Sequence, residues 1–511
     1  MIKLLIFRRY IGVFYQDATF YAQAIKAGRL NIRDIVKEAI HIIQEQNPTL
    51  NALVSLQETY AMNLAQEYAS KLIKMSDTER VTLPPFYGVP ILLKDLGQTH
   101  QGFPATSGSR LLADYKADHT DYFVQKIIDA GFIIVGRTNT PEFGFKNISD
   151  AQIHGVVNSP LDTRRNPGGS SGGAAAALKA GWVPIVTASD GGGSIRIPAS
   201  FSGLIGLKPS RGRMPVGPGN YRSWQGSSVN FVLSKSIRDT WTLLQWMQVD
   251  QREAPFSLPL IDKEHLTIPQ RPLKIAYSLT TLFDEYDVPK ETQEGLLQTV
   301  NILKSMGHTL IEENPAIDGR KMMESYYLIN GGVETAAMLL EMESVIGRPL
   351  SNQDMEAMSW ATYQYGLNIP AYDMSQTLTY WDQMTAVMED FYQDYDVWLT
   401  PTTNGPAPTH GQFLLEDRFI EKLSHAEDYS VDEQKNFIWQ MFDESLAWTP
   451  YTQLMNLTGQ PAISLPIFEN HQDLPIGMQF AAGKGQEYLL LSLGLQLEEA
   501  GYLHSEIHPI P

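Results

Sequence analysis

Gly168-Gly169-Ser170-Ser171-Gly172-Gly173-Ala174-Ala175-Ala176-Ala177 runs on to Gly181; Val183-Pro184-Ile185-Val186 follows and leads into Asp190-Gly191-Gly192-Gly193-Ser194-Ile195-Arg196. The first cluster of small residues reads as a loop opening a tightly packed alanine helix, since alanine is the best helix former. The apolar run reads as a buried strand. The triple glycine reads as a loop whose backbone turns sharply and points N–H groups inward beside a hydroxyl. Loop, helix, strand and loop in this order predict an α/β fold, with two serine-bearing loops free to meet in space.

The same alternation extends outward. Gly88-Val89-Pro90-Ile91-Leu92-Leu93-Lys94-Asp95 is apolar with little period, as in a strand buried on both faces, and it carries a lysine near its end. Residues 121–130 follow a helical pattern that Gly131 stops, and residues 132–136 form another buried strand. Further strands are expected at 204–207, 274–277, 397–400 and 462–466, with helices at 293–306 and 488–497. Near the start, Asn31 caps a helix with Ile35, Val36, Ala39, Ile40 and Ile43 on one face, which Asn47-Pro48 is expected to end. These strands and helices predict a sheet with helices on both faces. Residues 320–400 are rich in Met, Tyr and Trp, among them Met322, Met323, Tyr326, Tyr327, Trp360, Tyr363 and Tyr365; such clusters are core packing first and a substrate wall second.

Hydrophobic residues make up 43% and charged residues 19% of the 511, which suits a large core and argues against disorder. No proline-rich linker or charge run divides the chain. The net charge of -18 disfavours nucleic acid and anionic membrane as partners. With no cysteine, thiol nucleophiles and thiolate-bound metals are excluded, so covalent catalysis has to use oxygen or nitrogen. Residues 1–15 are apolar, but Arg8-Arg9 cuts them into pieces too short to span a membrane. They read as an amphipathic extension or an upstream start, and the protein as cytoplasmic.

A serine attacks an amide only when a base takes its proton, and no histidine lies in either glycine loop. Lys94 is the candidate base, because desolvation in an apolar strand lowers an amine's pKa and leaves part of it neutral near pH 7. A second hydroxyl can connect it to Ser194. A phosphate-binding reading of Gly168–Gly173 is weak: Ala174 stands where a Walker loop needs Lys-Ser/Thr, and Arg164-Arg165-Asn166-Pro167 precedes it in place of a strand. The same missing strand weakens a nucleophile elbow at Ser170 or Ser171. Asp190 and Arg196 read as an ion pair holding the turn rigid, and Asp150 and His154 as hydrogen-bonded structural residues.

Lys94 in its apolar strand, the paired serines and Asp190-Gly191-Gly192-Gly193-Ser194-Ile195-Arg196-Ile197-Pro198-Ala199 together resemble the amidase signature family. Thr400-Pro401-Thr402, Asn456-Leu457-Thr458-Gly459-Gln460-Pro461-Ala462-Ile463-Ser464-Leu465-Pro466 and Leu474-Pro475-Ile476-Gly477-Met478-Gln479-Phe480 extend the resemblance to nearly everything from Asp17 on. It implies a large mixed, twisted central sheet covered by helices on both faces. Residues 1–16 would be an extension and 17–511 a single amidase domain, with a core at about 85–210 and a variable helical substrate-covering region at about 320–400. It also implies a Ser-cisSer-Lys triad, in which Ser194 is the nucleophile, Ser170 the bridging serine in a cis peptide and Lys94 the base. The backbone N–H groups of Gly191, Gly192, Gly193 and Ser194 would form the oxyanion hole, supported by Ser171, Asp190 and Arg196. Neither cofactor nor metal is expected, and the partner is a small-molecule amide. The implied reaction is hydrolysis of a small or medium carboxamide through a serine acyl-enzyme, in a monomer or homodimer. The alternative is a glutamine-hydrolysing amidotransferase subunit acting with a partner protein. The nucleophile loop departs from the Asp-Thr-Gly-Gly-Ser common in the tRNA-linked amidotransferases and is similar to that of 6-aminohexanoate-cyclic-dimer hydrolase-like amidases.

Overall fold

The strand that bears Lys94 and the strand that leads into the second glycine-rich loop belong to one large sheet. A computed structural model of the chain describes residues 14–262 and 264–508. Its strands are β1 (Leu53–Leu56), β2 (Pro90–Lys94), β3 (Ile133–Thr138), β4 (Val186–Asp190), β5 (Ile205–Lys208), β6 (Val229–Ser234), β7 (Lys274–Tyr277), β8 (Thr309–Glu312), β9 (Val397–Pro401), β10 (Ala462–Glu469) and β11 (Pro475–Ala481). They form one sheet in the order β1-β3-β2-β4-β6-β5-β10-β11-β9-β7-β8. β2 runs parallel to both β3 and β4, β7 is parallel to β8 and β9, and the pairs between β4 and β9 are antiparallel. The sheet is therefore mixed, as expected, and helices cover both faces. Every residue of β2, β3 and β4 is buried, which is why these strands read as apolar runs without alternation.

One hydrophobic core joins the sheet to helices that include Ile32–Leu50, Gly172–Lys179, Ile237–Met247 and Glu487–Glu499. A second lies under a helical layer formed by Gly319–Leu328, Glu334–Ile346, Ala357–Leu367, Ala371–Asp394 and Val431–Trp448. Met322, Met323, Tyr327, Trp360, Tyr363 and Tyr365 all pack in this second core, so the aromatic stretch is mainly core. Tyr326 packs half-buried against this core on a cavity wall that Met323 and Tyr327 also line, next to the π-helical turn Ile329–Val333 that carries Asn330 and Gly331 onto the same wall.

Two expectations are corrected. The helix capped by Asn31 continues through Pro48 to Leu50, giving up the bond that an N–H at 48 would make to the carbonyl four residues back, and the stop is the left-handed Asn51 at φ 51°. The strand expected around 183–186 lies at Val186–Asp190, since Pro184 cannot donate to a ladder and stays in the preceding turn. Of the expected extension 1–16, residues 1–13 lie outside the described residues, whereas Phe14 is docked. Its ring is buried edge-on to Tyr21, its N–H donates to Gly181 O at 2.8 Å, and Lys235 Nζ donates to the carbonyls of Phe14 and Gln16. No helix among the described residues is long and apolar enough to cross a membrane.

Candidate active site

Lys94 is the last residue of β2 and Asp190 the last of β4, so parallel pairing brings their strand ends together at one edge of a cavity of about 510 Å³. The Lys94 side chain is wholly buried. Its Nζ donates to Ser170 Oγ at 2.7 Å and to Ser189 Oγ at 2.9 Å. Its backbone N–H is held by Gln98 Oε1 and Thr187 Oγ1, each at 3.0 Å, which fixes the strand end from which the amine projects. Burial pushes the Lys94 pKa down to about 7, against the opposing pull of the Asp190 carboxylate. The amine is thus poised to take and return a proton at neutral pH.

The peptide Gly169–Ser170 is cis. Gly169 has to be glycine, because a Cβ there would stand 2.5 Å from Lys146 O and 2.6 Å from Ile148 N. Ser171 Oγ donates to Ser189 O at 3.3 Å and accepts the Ser189 N–H at 3.4 Å, tying the serine loop to β4. Asp150 and His154 take no part: Lys146 bonds Asp150 at 2.7 Å, and His154 Nε2 meets Thr106 Oγ1 at 2.9 Å.

Ser194 lines the same cavity as Ser170, Ser189, Gly191 and Gly192 and has no hydrogen-bond partner among the described residues. The loop that presents it is clamped at its base. Arg196 reaches both oxygens of Asp190, Nε to Oδ2 and Nη2 to Oδ1, each at 2.9 Å. Burial raises the Asp190 pKa, but the guanidinium and the Asn456 amide outweigh it and hold the carboxyl below the ordinary range. The sequence-matched residues of the C-terminal segments converge here. Arg196 donates to Asn456 Oδ1 and Gln479 Oε1, Asn456 Nδ2 donates to Asp190 Oδ1, and Gln479 Nε2 donates to Thr400 Oγ1.

The amide cradle is narrower than the sequence suggests. Gly193 N–H already donates to Asp190 Oδ1 at 2.7 Å, so of the four expected amides those of Gly191, Gly192 and Ser194 have no acceptor among the described residues. Gly193 serves by shape: its φ is +126°, and a Cβ would lie 2.3 Å from Thr452 Oγ1, the hydroxyl that donates to Gly192 O. Around this centre the cavity is walled by Phe143, Phe145, Trp224, Phe256, Tyr326 and Phe442.

Lys94, Ser170, Ser171, Asp190, Ser194 and Arg196 are thus gathered in one place. Ser189 was missed. Its signal was adjacency to Asp190, masked by placing the strand too early. Gln98 and Thr187, which hold the lysine, and Trp224 carry no motif of their own.

The amidase family model matches residues 34–491. The chain is 37% identical over 486 residues to a lipoamidase of Enterococcus faecalis, covering 95% of this chain and 63% of that protein's length. It is 30% identical over 495 residues to 6-aminohexanoate-cyclic-dimer hydrolase of Paenarthrobacter ureafaciens, covering 95% of each. A solved structure of 6-aminohexanoate cyclic dimer hydrolase complexed with substrate superposes with a TM-score of 0.83 at 28% identity, over 95% of this chain and 97% of that one. With nine-tenths of its length matched by the family model and the serine, lysine and glycine motifs joined at one cavity, the chain belongs to the amidase signature family.

Proposed function

We propose that the protein is an amidase that hydrolyses a small or medium carboxamide through a Ser194 acyl-enzyme. The observation carrying this reading is the 2.7 Å hydrogen bond from a wholly buried Lys94 Nζ to Ser170 Oγ, at the edge of the cavity that Ser194 faces. As Ser194 Oγ attacks the carbonyl carbon, its proton passes to Ser170 Oγ and the Ser170 proton passes to neutral Lys94. The oxyanion accepts N–H groups from Gly191, Gly192 and Ser194. Collapse breaks the C–N bond, and the leaving nitrogen takes a proton from Ser170 that Lys94 replaces. Water then adds to the ester by the same relay, releasing the acid and restoring Ser194.

Phe143, Phe145, Trp224 and Phe256 on the wall suit an apolar acyl group, while Asp121, Arg211 and Glu341 line other parts of the same cavity. The relatives named lipoamidase and 6-aminohexanoate-cyclic-dimer hydrolase support the same class. The test is fluorophosphonate labelling with peptide mapping, alongside a carboxamide panel assayed by mass detection of the acyl-enzyme. Label is expected on Ser194, with none in Ser194→Ala. Labelling elsewhere, or turnover in Ser194→Ala, refutes the reading.

A further inference from the structure

We infer that Trp224 selects for acyl groups unbranched at the carbon next to the carbonyl, and that Gly191 is glycine to make room for it; this deepens the hydrolytic reading and rests on it. A Cβ built on Gly191 would stand 2.7 and 2.8 Å from Trp224 Cζ3 and Cε3. One built on Gly192 would stand 2.5 Å from the Tyr326 hydroxyl. Two residues of the amide cradle are therefore roofed by aromatic side chains with no space for a methyl group. The Asp-Gly-Gly-Gly-Ser loop follows from this contact, since a threonine at position 191 would occupy the place of the indole.

The ring is held from several directions. Trp224 stacks on Phe145, centroids 6.3 Å apart at 21°, and meets Tyr326 edge-on at 6.4 Å and 84°. Trp224 and Gln225 are consecutive non-glycine residues with φ of 49° and 52°, a backbone that surrounding contacts have to maintain. Those contacts come from the helical layer and the loop itself. Glu334 accepts the Trp224 N–H and Gln225 Nε2, the latter at 2.6 Å, and Ser227 Oγ donates to Trp224 O at 2.8 Å.

A carbonyl whose oxygen enters the cradle has its nitrogen directed to Ser170, the proton donor, so its remaining substituent faces Trp224 and Tyr326. A methylene passes there. A branched carbon meets ring atoms. The cavity then accepts the apolar remainder of the chain.

The test uses the full chain and matched pairs of amides of one amine, hexanoyl against 2-methylhexanoyl. Because one misplaced methyl in an apolar pocket is worth about 10–200-fold, kcat/KM for the linear amide should exceed that for the branched one by at least about tenfold. Trp224→Ala should narrow this ratio. Gly191→Ala should cost at least about tenfold in the wild-type background and much less beside Trp224→Ala, the coupling expected of two groups in contact. Equal rates for the two amides in the wild type overturn the inference even if Trp224→Ala fails to fold, and so does an equal cost of Gly191→Ala in both backgrounds. Wild-type labelling of Ser194 separates the two readings: without label and turnover the hydrolytic reading falls, whereas label without linear preference refutes the role of Trp224 alone.

Discussion

Lys94 accepts a proton only while its amine is neutral, and burial lowers its pKa from the ordinary lysine value to about 7. The protonated form dominates below that value, so kcat/KM should rise with pH, reach half its plateau near pH 7 and fall tenfold per unit below it. A pH–rate profile with its limb near 10 would show an unburied base and refute the assignment. Lys94→Met should lower turnover by roughly 10²–10⁴-fold. Ser189 supplies a sharper test. Its Oγ accepts from Lys94 Nζ at 2.9 Å, and an acceptor favours the charged amine. Ser189→Ala should therefore shift the limb of the profile to lower pH, a movement that loss of packing alone would not produce.

At the scale of elements, the ends of β2 and β4 carry Lys94 and Ser189, and the loop after β4 is locked by segments more than two hundred residues away. Asn456 donates to Asp190 Oδ1 at 2.8 Å and to Asp190 O at 3.0 Å, and accepts from Arg196 Nη2 at 2.6 Å. Asn456→Ala leaves a buried carboxylate and guanidinium each short of a partner, which should cost roughly 1.5–3 kcal/mol. Denaturant unfolding measures this, and a loss below about 0.5 kcal/mol, the scatter of an ordinary surface change, would refute the clamp. Lys94, Ser170, Asp190, Ser194 and Arg196 were legible in the sequence because acyl chemistry needs a base, hydroxyls and free amides, and few segments offer them. Ser189 was not, because Pro184 holds the strand start three residues beyond where the apolar run suggested. β6 escaped although Val229, Phe231 and Leu233 alternate, and its position between β4 and β5 depends on pairing that no local pattern encodes. Trp224 was equally silent, since its importance comes from what Gly191 lacks.

For the whole molecule, the cavity lies where the sheet's core and the helical layer's core meet, and buried polar ties join the two. Glu142, just after β3, accepts Ser109 Oγ at 2.7 Å on its own side and, from the helical layer, Glu356 N–H at 2.7 Å and Ser359 Oγ at 2.6 Å. Lys146 adds a bond to Glu356 at 2.9 Å. Burial raises the Glu142 pKa, and the two serine hydroxyls and the Glu356 N–H act against it, so the carboxylate depends on the partners it holds. Glu142→Ala strands those donors at the junction and should cost roughly 1.5–3 kcal/mol. The loss should be local. Hydrogen exchange ought to accelerate in Ala357–Leu367, whose start Glu142 secures, while β2 and β4 keep their protection. Because Phe143 and Gly144 line the cavity beside the same residue, KM should rise more than kcat falls. Exchange that quickened equally in the helical layer and the central strands would mean that the two cores unfold as one, and that Glu142 does not fasten one to the other.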